Sequence, residues 1–67
     1  MALSARNRLP GTVRSVVLGT VMAEVVLDVG GHEVVSVITR HAVENLGVNA
    51  GDEVWAIIKS TEVMLEK

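Results

Sequence analysis

The chain has 67 residues, of which 49% are hydrophobic, and its formal net charge is −2. This length predicts a single domain spanning 1–67, and the absence of cysteine from the sequence excludes disulfides and thiolate zinc sites. An acidic chain whose one aromatic residue is Trp55 lacks the charge and the stacking platform of a general nucleic-acid binder. Because no apolar run approaches the roughly 20 residues of a membrane helix, a soluble, cytoplasmic protein is expected.

The small size of the domain predicts an oligomer. A core of this size rarely supplies more than about 3–5 kcal/mol on its own, so small folds usually add disulfides, a metal or partner subunits. With two histidines and no cysteine, a structural metal is not expected. The hydrophobic fraction also exceeds what one small monomer comfortably buries, so part of this surface is expected between subunits.

Three strands are predicted in the first part of the chain. Residues 11–20 form the first, with Pro10 at an edge or bend because proline cannot donate a ladder hydrogen bond. Apolar and polar side chains then alternate over 20–29, which is the period of a half-buried strand. A two-glycine turn at 30–31 suits a tight hairpin, since both glycines can take positive φ, and it leads into a third strand at 32–39.

The second part of the chain predicts one short helix and two further strands. The apolar spacing becomes helical over 40–47, with Thr39 able to cap the helix and Gly47 able to end it. Strands are predicted at 53–60 and 62–66. Five strands with a helix between the third and fourth indicate a mainly β fold, an OB-like barrel whose helix plugs one end. An SH3-like barrel is the alternative.

The sequence contains donors to an anion but no catalytic template. It has no cysteine nucleophile, no Ser–His–Asp spacing and no phosphate-binding glycine loop, so an enzyme is not expected. Donors occur in three segments: Ser4 with Arg6, the helix start at 39–42, and Lys59-Ser60. Helix N-termini attract anions because their first N–H groups lack internal partners.

Each of these segments also has an ordinary structural explanation. Arginines near a terminus are usually solvated, Thr39 can be a cap alone, and Lys59 can lay its stem over apolar surface. The residues themselves leave both interpretations open. In a barrel, the three segments could meet within one chain or across a subunit boundary.

Four stretches of the sequence are distinctive together: SARNRLPGTV at 4–13, VMAEVVLDVGG at 21–31, VITRHAVENLGV at 37–48 and GDEVWAIIKSTEVML at 51–65. They resemble the molbindin, or Mop, family of small molybdate-binding proteins. The resemblance implies an OB-like barrel whose subunits pair by exchanging strands, and free-standing members of this length assemble as hexamers built from dimers. Molybdate or tungstate would bind at subunit interfaces for storage, buffering or homeostasis, with no organic cofactor and no direct protein ligand to the metal.

The resemblance also assigns roles to four of the donors. It implies that Ser4 supplies a hydroxyl donor and Arg6 a charged donor. Thr39 matches a threonine that contributes hydroxyl or backbone donors before the helix. Lys59 matches a lysine near the end of the chain and would give a charge-assisted hydrogen bond.

Three positions depart from the family pattern. Ala42 stands where related modules often carry a small hydroxyl residue, so only its backbone N–H is a candidate donor. Ser60 replaces a common alanine and offers a backbone N–H and a possible hydroxyl. Arg8 stands where glutamine or lysine often occurs, and the resemblance gives it no role.

A site made only of donors would suit molybdate. Molybdate is a dianion without a proton at neutral pH, whereas monohydrogen phosphate carries an O–H that needs an acceptor. Two other classes of function remain as alternatives. One is an OB-type nucleic-acid-binding barrel with a stripe of Arg6, Arg8 and Arg14, and the other is a protein-interaction module without a ligand.

Overall fold

The structure is a computed structural model that describes residues 6–67, so the predicted donor Ser4 lies outside the described residues. Four antiparallel strands form one sheet in the order β3-β2-β1-β4. A short helix joins the third and fourth strands, and a 3₁₀ turn follows the fourth. The elements are β1 (Asn7–Leu18), β2 (Met22–Val29), β3 (His32–Thr39), α1 (Arg40–Leu46), β4 (Glu53–Ile58) and the 3₁₀ turn (Ser60–Glu62).

Strand β1 is long because it pairs with two neighbours in succession. Its first half pairs with β4 as far as Thr12, and its second half, from Thr12 onward, pairs with β2. The β2 register shifts between Val13 and Ser15, and such a bulge bends a strand and increases its twist. The start of β1 at Asn7 corrects the predicted start at residue 11, because the pairing with β4 extends the strand toward the beginning of the chain.

Pro10 lies in the first half of β1, as the edge prediction requires. It stands opposite Trp55 of β4, and among the described strands no second neighbour pairs with β1 at this position. Its missing N–H therefore removes no hydrogen bond to β2.

The glycine hairpin between β2 and β3 is confirmed. Gly30 and Gly31 have φ of 57° and 85°, which are the left-handed values that a tight two-residue turn needs. Val29 and His32 pair directly across the turn. The N–H of Gly31 also donates to Oδ1 of Asp28 at 2.9 Å, so the turn is held on the side of β2.

The core forms where the inner face of β2 meets the helix. The predicted alternation is confirmed, since the buried side chains of β2 are separated by exposed or half-buried ones. Val43 is the buried residue of α1 and packs over this face. The buried core residues are Val13, Ala23, Val25, Leu27 and Val43.

The helix begins and ends where its caps predict. Oγ1 of Thr39 accepts a hydrogen bond from the N–H of Ala42 at 3.0 Å, which satisfies one of the first helical donors. Gly47 has a φ of 66° and its N–H donates to the carbonyl of Val43 at 3.0 Å. A left-handed glycine here ends the helix without the steric cost of a Cβ.

The prediction of five strands is not confirmed in the single chain. Strand β4 ends at Ile58, two residues before the predicted end, and the predicted strand at 62–66 does not form. Met64 and Leu65 are 91% and 95% exposed. A strand needs the backbone of a neighbour, and among the described strands none pairs with this segment. Nor do β3 and β4 pair with each other, so the sheet is open rather than a closed barrel.

The described helices include none that is both long enough and apolar enough to cross a membrane.

We predict that Leu27→Ala destabilises the protein by about 2–5 kcal/mol, because it leaves a cavity in the core where the leucine side chain was packed. Leu27 is 4% exposed, in the centre of the core. Glu24→Ala, on the exposed face of the same strand, is the matched control and should cost less than about 0.5 kcal/mol. Urea unfolding at one fixed protein concentration measures both, and equal losses would contradict this core.

Candidate functional site

The ends of β1 and β4 bring together two of the predicted donors. Asn7 of β1 stands opposite Ile58 of β4. Continued by one residue, this antiparallel register puts Arg6 opposite Lys59, whose backbone is extended with φ −65° and ψ 134°. Residues opposite each other share a face, with Cβ atoms about 5 Å apart. This register therefore places two cations that are far apart in the sequence at the same end of the β1–β4 ribbon.

The cations at this end of the ribbon form no ion pair among residues 6–67. Arg8 lies on the same face as Arg6, because alternate residues of a strand share a face. Neither of these arginines nor Lys59 takes part in the ion pairs of the described residues. Those pairs are Arg14–Asp28 at 3.9 Å and Arg40–Glu44 at 3.7 Å.

The same ion pairs bear on the predicted arginine stripe. Arg14 lies at the β1 bulge and faces Asp28, so its charge is partly neutralised. The stripe of Arg6, Arg8 and Arg14 is thereby interrupted, and the uncompensated charge is confined to the beginning of β1. A small anion fits such a local cluster better than an extended nucleic-acid backbone does.

Ser60 follows Lys59 directly and begins the 3₁₀ turn. In this turn the carbonyl of Lys59 accepts from the N–H of Glu62 at 2.9 Å. The first N–H groups of a short helical turn have no partner inside the turn. The backbone of Ser60 therefore adds a neutral donor beside the lysine, and its hydroxyl adds a second.

The donors at the helix start already serve the helix itself. The N–H of Ala42 is taken by Oγ1 of Thr39, and the N–H of Arg40 donates to the carbonyl of Val21 at 2.8 Å. Thr39 is thus an N-cap, as its ordinary explanation holds. A hydroxyl that accepts one hydrogen bond still has its own proton to donate. Thr39 can therefore bind an anion without giving up the cap, whereas Ala42 cannot donate fully to both.

The two groups of donors lie at opposite ends of β1 within one chain. Thr39 pairs with Met22, at the β2 end that adjoins Leu18, the last residue of β1. Lys59 instead follows the end of β4 that adjoins Asn7, the first residue of β1. The single chain therefore does not assemble the whole predicted donor set. Within the described part of one chain, the predicted donors therefore form two separate groups.

A stacked pair on the ribbon was missed by sequence reasoning. The guanidinium carbon of Arg8 lies 4.8 Å from the centroid of the Trp55 ring. Trp55 pairs with Pro10 and Arg8 pairs with Ile57, so the two are diagonal neighbours on one face. Only the register between β1 and β4 could have revealed this contact, because the residues are 47 positions apart in the sequence.

A groove at the other end of the ribbon is unsuited to an oxyanion. It has a volume of about 570 Å³ and is lined by Asp28 and Glu53, among others. Carboxylates at its wall repel a dianion. Within residues 6–67, no group of three or more His, Cys, Asp or Glu side chains that could hold a metal ion occurs.

The chain is similar to proteins whose names describe the binding of molybdate or of molybdenum-pterin. Residues 3–65 match the family model described as TOBE domain. Molybdenum-pterin-binding protein 3 of Clostridium pasteurianum is 52% identical over 66 residues, which cover 97% of each chain. A molybdate-binding protein from Sporomusa ovata has a TM-score of 0.96 at 45% identity, over 100% of both chains. The cytoplasmic molybdate-binding protein ModG, with molybdate bound, has a TM-score of 0.83 at 46% identity, over 90% of this chain and 43% of that chain.

We predict that Thr39→Ala destabilises the protein by about 1 kcal/mol, because it leaves an N–H at the helix start without its acceptor. Thr39→Ser keeps the hydroxyl and should restore most of this loss. Thermal unfolding without ligand, at one protein concentration, compares the three proteins. If the serine variant were as unstable as the alanine variant, the cap would not be the source of the effect.

Proposed function

The chain belongs to the molbindin family of TOBE-domain proteins, and from this premise we propose that it binds molybdate, or tungstate, as a free oxyanion. The single observation that carries the proposal is the β1–β4 register, which pairs Asn7 with Ile58 and, continued by one residue, puts Arg6 opposite Lys59. The two charges balance a dianion. Charge-assisted hydrogen bonds contribute about 1.5–3 kcal/mol each, so these two residues dominate the affinity.

The complete site draws on two chains. One chain supplies Ser4, Arg6, Lys59 and Ser60, and a neighbouring chain supplies the hydroxyl of Thr39. The N–H of Ala42 in that neighbouring chain contributes less, because it also donates to Oγ1 of Thr39. This division is supported by the separation of the two donor groups along β1. In a dimer with a two-fold axis, the beginning of β1 in each chain would lie next to the end of β1 in the other chain. Such a dimer has two equivalent sites.

The donor set also provides selectivity between oxyanions. The proposed residues offer N–H and O–H groups and no carboxylate. Monohydrogen phosphate carries an O–H for which the site offers no carboxylate and only the weaker acceptor of a neutral hydroxyl, so it should bind less tightly than molybdate. Sulfate has the charge and protonation state of molybdate but is smaller, so its exclusion requires a pocket held at fixed size by two subunits.

Strand exchange would complete the fold and the assembly. The exposed apolar segment at 63–65 has no neighbour among the described strands, and the open side of the sheet carries a cavity of about 460 Å³. Its lining is mainly apolar and includes Val34, Ile38, Val54 and Ile58. In our proposal, residues 62–66 of one chain pair as a fifth strand with another chain and close an OB-like barrel. The dimers formed in this way assemble into a hexamer.

The proposed role is binding rather than catalysis. The chain would act as a single domain over 1–67 that stores, buffers or otherwise maintains the supply of molybdate, without an organic cofactor and without nucleic acid or membrane as a partner. A cytoplasmic location is proposed because the similar protein ModG is described as cytoplasmic.

We predict that molybdate raises the melting temperature of the wild-type protein and that Arg6→Ala removes most of this rise. A ligand that binds only the folded state stabilises it in proportion to the logarithm of its concentration over Kd. Loss of a charge-assisted bond of about 1.5–3 kcal/mol corresponds to roughly 10- to 150-fold weaker binding. Calorimetric titration with molybdate measures the affinity directly.

Arg14→Ala is the matched control for this experiment. It removes the same charge, but at a position already paired with Asp28, and it should leave the molybdate affinity unchanged. Phosphate should give no stabilisation at concentrations where molybdate does. A wild-type protein that forms oligomers but gains no stability from molybdate would contradict the proposal and favour the interaction module.

A further inference from the structure

Arg8 lies on the same face of the ribbon as Arg6 and Lys59, but it has no role in the proposed site. It lies two residues beyond Arg6, which is about 7 Å along the strand. Its guanidinium is stacked over the ring of Trp55 at 4.8 Å. A planar guanidinium is attracted to the face of an indole, so the stack reduces the freedom of this exposed side chain and fixes where its charge lies.

The stack holds the charge near the Arg6–Lys59 pair but beyond its hydrogen-bonding distance. Trp55 stands opposite Pro10, which is one further step along the face in the direction away from Arg6. The guanidinium leans in that direction, which puts it on the order of 10 Å from the pair, given the spacing along a strand. This distance is too long for a hydrogen bond but is about one Debye length at 0.1 M salt.

We propose that Arg8 is a specificity-determining residue that favours doubly charged tetrahedral oxyanions over singly charged ones of the same shape. The inference rests on the function proposed above and deepens it. A charge that does not touch the ligand acts through the Coulomb interaction alone, which is proportional to the charge of the ligand. Sulfate and phosphate differ from molybdate in size and in hydrogen bonding. The residues that contact the anion, and not Arg8, would discriminate against them.

The expected size of the effect follows from the distance. For a unit charge about 10 Å away in a water-like dielectric, the affinity of a dianion rises about fourfold and that of a monoanion about twofold. The ratio of the two effects, rather than either alone, identifies the mechanism. A role in packing would not make the loss scale with ligand charge, and a direct charged contact would give a loss of roughly tenfold or more.

The experiment compares Arg8→Gln with Arg14→Gln in the full chain at low ionic strength. The probes are molybdate, a dianion, and perrhenate, a tetrahedral monoanion, whose binding is measured by its competition with molybdate in calorimetry. Arg8→Gln should weaken molybdate about fourfold and perrhenate about twofold. Arg14→Gln removes a charge that Asp28 already compensates and should change neither. Arg8→Lys keeps the charge and should recover most of the molybdate affinity.

Salt provides a second readout that does not depend on perrhenate. At about 1 M salt the Debye length falls to roughly 3 Å, so the difference between wild type and Arg8→Gln should disappear. A loss that persists at high salt, equal losses for the two anions, or the same loss in Arg14→Gln would overturn the inference. So would a change in molar mass caused by Arg8→Gln, which would assign Arg8 to a subunit contact.

The outcomes for the wild-type protein separate this inference from the function on which it rests. If the wild type does not bind molybdate, the proposed function fails and the role of Arg8 fails with it. If the wild type binds molybdate and Arg8→Gln binds it equally well at low ionic strength, only the role of Arg8 is overturned.

Discussion

The pairing of β1 with two successive neighbours is the constraint on which the rest of the structure depends. Its first half is held by β4 and its second half by β2, with a bulge between Val13 and Ser15. The β4 register brings Arg6 and Lys59 together at one end of the strand. The pairings through β2 and β3 carry Thr39 to the other end. One chain therefore presents two separate groups of donors, and in our proposal a second chain combines them.

The same pairing explains why a small chain would gain from assembly. The described sheet is open between β3 and β4, and apolar side chains remain exposed on the segment at 63–65. Burying such a surface between subunits contributes about 25 cal/mol per Å² of apolar area removed from water. In our proposal, the contacts that stabilise the oligomer also assemble the anion site, so ligand binding and subunit association stabilise each other.

Local patterns in the sequence predict most of the elements but not the relations between distant ones. The alternation in β2, the two-glycine turn and the caps of α1 are each fixed by neighbouring residues, and all three are confirmed. The early start of β1 and the Arg8–Trp55 stack depend on the β4 register, which no local pattern encodes. The segment predicted as a strand at 62–66 has the right composition, but none of the strands within residues 6–67 pairs with it.

The central claim is that one oxyanion site combines Arg6 of one chain with Thr39 of another, and complementation tests it most directly. Arg6→Ala and Thr39→Ala, each of which should bind molybdate more weakly alone, are unfolded together, refolded and titrated with molybdate. If the site is shared, random mixing should restore wild-type affinity at about a quarter of the sites, because some pairs combine the two intact halves. If each site were built within one chain, the mixture would bind no better than the two variants separately, and the claim would be contradicted.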